Sequence, residues 1–209
     1  MRADDHPWGE LLPPAFSERD AVEVARDLLG AVLVRDEVAL RITETEAYVG
    51  PHDTACHARS GPTTRNAPLF GPPGHAYVYL CYGLHWMLNV VTGPDGYGAA
   101  VLVRAAEPLA GLETVRRRRG DKRGPELLTG PGKVGSALAL DGSWSRHPLF
   151  EPGGLELRRG APVAAVLAGP RVGIDYAAPE HRDAPWRFAV ADSPWVSRPR
   201  AGLRPASAA

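Results

Sequence analysis

The first regular pattern along the chain is helical. Apolar residues of the segment SERDAVEVARDLLG recur every three or four positions and share one helical face: Val22, Ala25, Leu28 and Leu29. Ser17 followed three residues later by Asp20 approximates a capping box, and Gly30 supplies an end signal. The segment is therefore predicted to form an amphipathic helix.

Alternation with a period of two follows in AVLVRDEVALRITETEAYVG and predicts two strands that turn at Asp36 and Glu37. In the second strand, strict alternation places these residues on one side: Val38, Leu40, Ile42, Glu44, Glu46 and Tyr48. If the first three face a core, the same side carries carboxylates towards the interior. A buried carboxylate needs a partner or a function, so Glu46 is a candidate for chemistry.

Residues 50–74 are rich in proline and glycine and are predicted to form a long irregular loop. HAYVYLCYGLHWMLNVVT and GAAVLVRAAEP read as strands, the former broken at Gly83 and the latter ending where Pro108 opens a helix in LAGLETVRRRR. A short helix in LLTGPGKVGSALAL begins near Pro131. Further short strands are predicted at 155–158, 162–168, 171–175 and 187–191.

These elements predict one mixed α/β domain built on an antiparallel sheet, because strands outnumber helices and most connections are hairpin-like. We expect an N-terminal arm over residues 1–16, the domain over 17–198 and a loose tail over 199–209. A chain of 209 residues with 44% hydrophobic residues suits one such core.

Composition excludes some classes of protein. No stretch of about 18 apolar residues exists, so a membrane span is not expected. The start, MRADDHPWGELLPP, lacks the apolar run of a secretory signal, and Cys56 and Cys81 are too few for a disulfide framework. We expect a cytoplasmic protein.

The net charge is zero, with 24 basic and 24 acidic residues, but positive charge is concentrated in VRRRRGDKRG over residues 115–124. Such a run is either a solvated surface or a site for an anionic partner such as nucleic acid, and the sequence leaves both open.

Arg104 interrupts the apolar strand AAVLVRA, where a guanidinium is hard to explain except as the partner of a buried carboxylate. One carboxylate with one arginine in a sheet interior is a plausible general-base site. Asn89 also lies among apolar residues, and it either satisfies local backbone or binds a polar ligand. His52, Cys56 and His57 lack a second ligand pair at zinc spacing, so we expect no metal.

Tyr77 and Tyr79 share one face of their strand, which is typical of an aromatic ladder in a core. Tyr82 is different, because it directly precedes Gly83 at the predicted break. An aromatic side chain on a protruding turn can insert between stacked bases, as wedge residues of DNA-binding proteins do.

Several segments, in this order, resemble the alkyladenine (3-methyladenine or N-methylpurine) DNA glycosylase family: RITETEAYVG, DTACHARSG, TRNAPLF, AYVYLCYGLHWMLNVV, VLVRAAEPLAGLETVR, LTGPGKVGSALAL and SPWVS. The resemblance covers roughly residues 17–197. It implies a curved antiparallel sheet with surrounding helices and a protruding β-hairpin. It also implies a monofunctional, cofactor-free enzyme of base-excision repair that flips an alkylated purine out of duplex DNA and hydrolyses its N-glycosidic bond.

The resemblance further assigns roles to single residues. The catalytic glutamate matches Glu46, and the attacking water is held by Glu46, Arg104 and the main-chain carbonyl of Val172. The residues implied to contact the flipped base are Tyr48, His57, Tyr79 and Asn89. Tyr82 matches the residue that fills the gap left in the duplex.

The expected partner is double-stranded DNA, bound by a monomer of bacterial origin. Lys133, Arg116 and Arg117 are candidates for phosphate contacts. Lys122 and Lys133 are the only lysines and neither is near Glu46 in sequence, which argues against Schiff-base chemistry. Whether deaminated purines such as hypoxanthine are also substrates stays open, and the rival functions are a non-catalytic binder of damaged DNA and a hydrolase of free nucleosides.

Overall fold

The computed structural model describes residues 6–206 as one mixed α/β unit. Its helices α1 to α5 are Pro14–Ser17, Ala21–Asp27, Leu112–Arg118, Pro131–Ala137 and Pro179–Arg182. Its strands β1 to β9 are Val32–Arg35, Val38–Tyr48, Ala76–Cys81, His85–Thr92, Ala99–Ala110, Leu155–Arg158, Val166–Gly169, Arg187–Val190 and Arg204–Pro205. Short 3-10 turns lie at His57–Ser60, Ala67–Phe70, Gly124–Leu127 and Gly142–Trp144.

All strand pairs in the described part of the chain are antiparallel, in the order β3-β4-β5-β2-β8-β7-β9, and β1 joins β2 to β6. Helix α2 packs on β2 and β5, while α4 packs on β4 and β5. Together with the exposed β3–β4 hairpin tip, this confirms the predicted class of fold.

Strict alternation along β2 is wrong, because its pairing with β5 is irregular around Glu44. Ile42 before this point and Ala47 after it both face the main core. Strict alternation would put two residues five positions apart on opposite sides of the sheet. Strand β5 changes in the same way, since both Ala106 and Val103 face that core. A local irregularity of this kind redirects side chains. As a result, Glu46 faces the opposite side from Ile42, away from the main core.

Three further local predictions are wrong. Pro108 does not open a helix, because β5 continues to Ala110; proline is tolerated there since it pairs with Leu40 at a register shift. Residues 171–175 form a loop rather than a strand, with Gly173 at a φ of 76°. The side-chain cap of α2 is Asp20, whose carboxylate accepts from the Val22 N–H, and not Ser17.

Both terminal segments contact the domain more closely than the sequence predicts. In the N-terminal segment, Leu11 bridges to Arg158 and Leu12 is buried. In the C-terminal segment, β9 pairs with β7 and Leu203 packs against Ala189. The expected loose tail is therefore held to the sheet as far as residue 206, and the outermost residues of both predicted segments, 1–5 and 207–209, lie outside the described part.

Candidate active site

A cavity of about 490 Å³ opens between the sheet, the 50–74 loop and the 172–176 loop. The residues predicted from the sequence that line it are Glu46, Tyr48, His57, Tyr79, Tyr82, Asn89, Arg104 and Val172. Strands β2, β4 and β5 supply its floor, since their pairing brings Glu46 opposite Leu102 and Leu102 opposite Asn89. Residues far apart in the sequence thus converge on one concave site.

Glu46 lies at the floor of the cavity with no exposed surface. Its Oε1 accepts from the Val172 N–H at 2.8 Å and lies 3.2 Å from Arg104 Nη1. Its Oε2 accepts from the Tyr48 hydroxyl at 3.1 Å. Val172 contacts Glu46 through its amide N–H, and the implied role of its carbonyl in holding the attacking water stays a prediction.

Arg104 connects Glu46 to a second buried carboxylate, Glu44. Its Nε donates to Glu44 Oε1 at 3.0 Å and its Nη2 donates to Ser197 Oγ at 3.2 Å. Burial lowers the pKa of Arg104, but Glu46 and then Glu44 outweigh that effect, so the net shift of its pKa is upward. Arg104 is therefore a permanent cation beneath the cavity.

Glu44 is the centre of a buried network, and its partners Arg187 and Ser197 were not singled out from the sequence. Its Oε1 accepts from Arg187 Nε at 2.7 Å and its Oε2 accepts from the Ser197 N–H at 2.6 Å. Arg187 is 1% exposed and also donates to the carbonyls of Ser197 and Pro199. Only the SPWVS motif hinted at this region. Glu44 does not line the cavity, which distinguishes it from Glu46.

Aromatic side chains form the walls of the cavity. Tyr77 and Tyr79 are tilted neighbours with ring centroids 5.4 Å apart, and His57 meets Tyr79 edge-on at 4.6 Å. Burial raises the pKa of Tyr77 to about 12 and raises that of Tyr79 further. Desolvation, followed by Arg65 and Arg59, lowers the pKa of His57. The walls are therefore uncharged at neutral pH.

Asn89 is buried in the lining of the cavity. Its Nδ2 donates to the Tyr77 carbonyl at 3.1 Å, across the β3–β4 pair. Local backbone thus uses one donor of the amide, and Asn89 also belongs to the lining of the cavity. Both alternatives that the sequence left open are compatible with this contact.

Two loops are joined behind Tyr48 by a second buried ion pair. Arg171 donates to both carboxylate oxygens of Asp53, at 2.5 and 2.9 Å, and to the Ala47 carbonyl at 2.9 Å. This contact attaches the 170–176 loop, which carries the Val172 N–H, to the 50–74 loop.

The β3–β4 hairpin presents Tyr82 at its tip, beside the cavity. The side chain is 90% exposed, and Leu84 next to it is 76% exposed. Tyr82 and Gly83 both have positive φ, at 51° and 68°, and the Leu84 N–H closes the turn on Cys81. A tyrosine in this left-handed region is uncommon. The hairpin therefore holds an exposed aromatic ring in a backbone conformation that costs free energy.

The basic residues predicted to contact phosphates are not all in one place. Lys133 lies beside the hairpin, in a groove that it shares with His85 and Arg119. Arg116 and Arg117 lie on α3, where they contact Glu113 and Thr114, outside the lining of the cavity and of that groove. Arg65, which the sequence did not single out, lines the cavity and donates to the Leu80 carbonyl.

Residues 6–206 contain no cluster of three His, Cys, Asp or Glu side chains that could hold a metal ion. Over the same residues, no helix has the length and apolar character needed to cross a membrane.

Comparison with known proteins adds to this geometry. The family model for methylpurine-DNA glycosylase matches residues 15–194. An Arabidopsis thaliana protein named DNA-3-methyladenine glycosylase is 60% identical, over 94% of this chain and 78% of its own length. A Nitrosococcus oceani protein, provisionally named a 3-methyladenine DNA glycosylase, is 68% identical over 90% of this chain and 94% of its own length.

Proposed function

The chain belongs to the methylpurine-DNA glycosylase family, and on that premise we propose that it flips alkylated purine nucleotides out of duplex DNA and uses Glu46 to drive hydrolysis of the base–sugar bond. The family identifies it as a DNA glycosylase that repairs alkylated purines. Flipping, single-step hydrolysis and the roles of individual residues are our proposals.

Glu46 is proposed to be the general base. Water attacks C1′ of the deoxyribose, Glu46 takes a proton from that water, and the electron pair of the C1′–N bond leaves with the purine. An alkylated purine that carries a positive charge becomes neutral as it leaves, so it needs no acid. Glu44 is held by two arginines and Ser197 and does not line the cavity, so Glu46 alone is proposed to perform the reaction, unlike the pair of carboxylates used by most glycoside hydrolases.

Arg104 and Val172 are proposed to fix the carboxylate and the attacking water. Arg104 Nη1 and the Val172 N–H both contact Oε1 of Glu46. A water positioned by these groups would be held close to the reacting carbon, which is the source of much catalytic advantage. The carbonyl of Val172 is the further group that we propose as an acceptor for this water.

The aromatic walls are proposed to receive the flipped base between Tyr48 on one side and His57 with Tyr79 on the other, with Asn89 at the inner end. Flipping costs a few kcal/mol of stacking and pairing, and it costs least at damaged pairs. Tyr82 stands exposed on the hairpin beside the cavity, where its ring can fill the vacated space. Lys133, Arg116 and Arg117 are proposed to contact phosphates.

The absence of lysine from the cavity supports a monofunctional reaction. Of the two lysines in the sequence, Lys122 pairs with Glu126 on the surface and Lys133 lies in the separate groove. Lyase chemistry through a Schiff base requires an amine at C1′. We therefore expect an intact strand that carries an abasic site.

One observation carries this proposal: Glu46 is fully buried at the floor of an aromatic cavity beside an exposed wedge. The test is to incubate the protein with duplexes containing 3-methyladenine, 7-methylguanine, ethenoadenine or hypoxanthine. Released base with strand breakage only after alkali is the expected result. Selective binding without release would support a non-catalytic binder, while faster cleavage of free nucleosides would support a nucleoside hydrolase.

A further inference from the structure

The two walls of the cavity differ in what stands behind them. Tyr79 is flanked by Tyr77 and His57, and within residues 6–206 no arginine or lysine is stacked on either tyrosine. Tyr48, in contrast, has the Arg171 guanidinium over its ring, 4.7 Å from the ring centroid. The same guanidinium lies 4.9 Å from the Trp186 ring centroid. Arg171 thus contacts two aromatic rings.

Arg171 stands behind Tyr48 as seen from the cavity. Tyr48 lines the cavity, while Arg171 is 5% exposed and is not part of the lining. Asp53 binds the guanidinium through both Nη atoms, which places the carboxylate at the edge of the guanidinium plane. The guanidinium carbon itself lies over the Tyr48 ring, 4.7 Å from the ring centroid. Tyr48 therefore meets the positive centre of the group more directly than it meets Asp53.

A cation on one face of an aromatic ring changes what the other face binds. The face of a tyrosine ring is normally electron-rich and attracts cations. A guanidinium on the rear face uses this electron density and repels a second cation placed in front. A neutral purine is not repelled, and it stacks well on an electron-poor ring. The Tyr48 wall should therefore favour neutral purines and the Tyr79 wall cationic ones.

We propose that Arg171 is a specificity-determining residue that acts through Tyr48, raising the preference of the cavity for neutral damaged purines, such as hypoxanthine or ethenoadenine, over cationic alkylated purines. This inference rests on the proposed function, because it requires a flipped purine against Tyr48.

The test uses the double substitution Arg171→Gln and Asp53→Asn, which removes both charges and leaves neither one buried alone. It is made in a Glu46→Gln background so that the base stays attached. Affinities are measured for matched duplexes that contain hypoxanthine or 7-methylguanine. The ratio of affinities is expected to move about three- to tenfold towards 7-methylguanine, the size of one cation–π contact. An unchanged ratio, or a movement towards hypoxanthine, would overturn the inference.

The control is Trp186→Phe, which loosens the packing around Arg171 but keeps its charge, so the ratio should stay within about twofold. If the double variant does not fold, Tyr48→Leu gives a second test. Loss of the ring should weaken hypoxanthine binding at least as much as 7-methylguanine binding, and a larger loss for 7-methylguanine would contradict us. If the unsubstituted protein neither binds lesions selectively nor excises them, the proposed function itself is wrong. If it does bind them selectively but the double variant leaves the ratio of affinities unchanged, only this inference is wrong.

Discussion

The floor of the cavity and the tip of the β3–β4 hairpin depart from the usual distribution of polarity in opposite directions. Glu46 at the floor, and Glu44 and Arg187 behind it, are almost completely buried although each carries a charge. At the tip, Tyr82 and Leu84 are almost completely exposed although both are apolar. Each arrangement costs free energy in the isolated protein.

The comparison separates two kinds of function. Buried charges at the floor are held by several hydrogen bonds each, so their geometry is fixed before a substrate arrives, which suits a chemical step. The exposed side chains at the tip make few contacts, so they are free to bury themselves against a partner. Changes at the floor should therefore affect stability and reaction rate, and changes at the tip should affect binding.

The largest effect on stability is expected from Glu44→Gln. This change leaves Arg104 and Arg187 buried with one carboxylate fewer, and breaking a buried pair costs about 3–5 kcal/mol. The melting temperature should fall by roughly 6–20 °C, as measured by calorimetry. The control is Asp27→Asn, which removes an exposed pair with Arg19 and should cost less than about 1 kcal/mol. Equal effects of the two changes would contradict the role of the floor.

A smaller effect, on binding alone, is expected from Tyr82→Ser. Loss of the wedge should weaken affinity for lesion-containing duplex about tenfold, the size of one base–aromatic stacking contact. The unfolding free energy should change by less than about 0.5 kcal/mol, because the side chain has little to lose. Fluorescence anisotropy and thermal unfolding measure the two quantities. Leu109→Ser, which alters another exposed apolar residue, is the control, and equal loss of affinity there would argue against insertion.

The smallest effect is expected in the pH dependence of lesion binding, through His57 in the wall of the cavity. The pKa of His57 lies below its ordinary value of 6.5, so the ring is neutral above that pH and becomes charged only as the pH falls below it. In a Glu46→Gln background, binding of a 7-methylguanine duplex should weaken a few-fold as the pH falls from 7 towards 5, because a charged His57 repels a cationic base. His57→Asn should flatten this profile. Stronger binding at low pH would indicate phosphate contacts instead.

Local patterns predicted much of the fold. The turn at Asp36, the hairpin break at Gly83 and the helix beginning at Pro131 follow from rules that involve neighbouring residues only. Alternation along β2 failed at Glu44, because the irregular pairing with β5 is a property of two strands and cannot be read from one. Glu46 was a correct candidate for the interior, although it lies on the opposite side of the sheet from the one that alternation implied.

The site was predictable where a single residue conflicted with its surroundings. Arg104 in an apolar strand and Glu46 in an alternating one each signalled a buried partner, and they do contact one another. The Glu44–Ser197 contact spans 153 positions in the sequence, and Arg171 gives no local signal at all. Such contacts depend on how loops return to the sheet, and this information is absent from local periodicity.

The central claim is that Glu46 activates the attacking water, and Glu46→Gln tests it most directly. Single-turnover excision is measured with the enzyme in excess over a 7-methylguanine duplex, after binding has been shown to be saturated. We predict that lesion binding is retained while the excision rate falls about 10²- to 10⁴-fold, because one carboxylate supplies the base. Excision within about tenfold of the parent rate, a loss too small for removal of the only general base, would contradict the account.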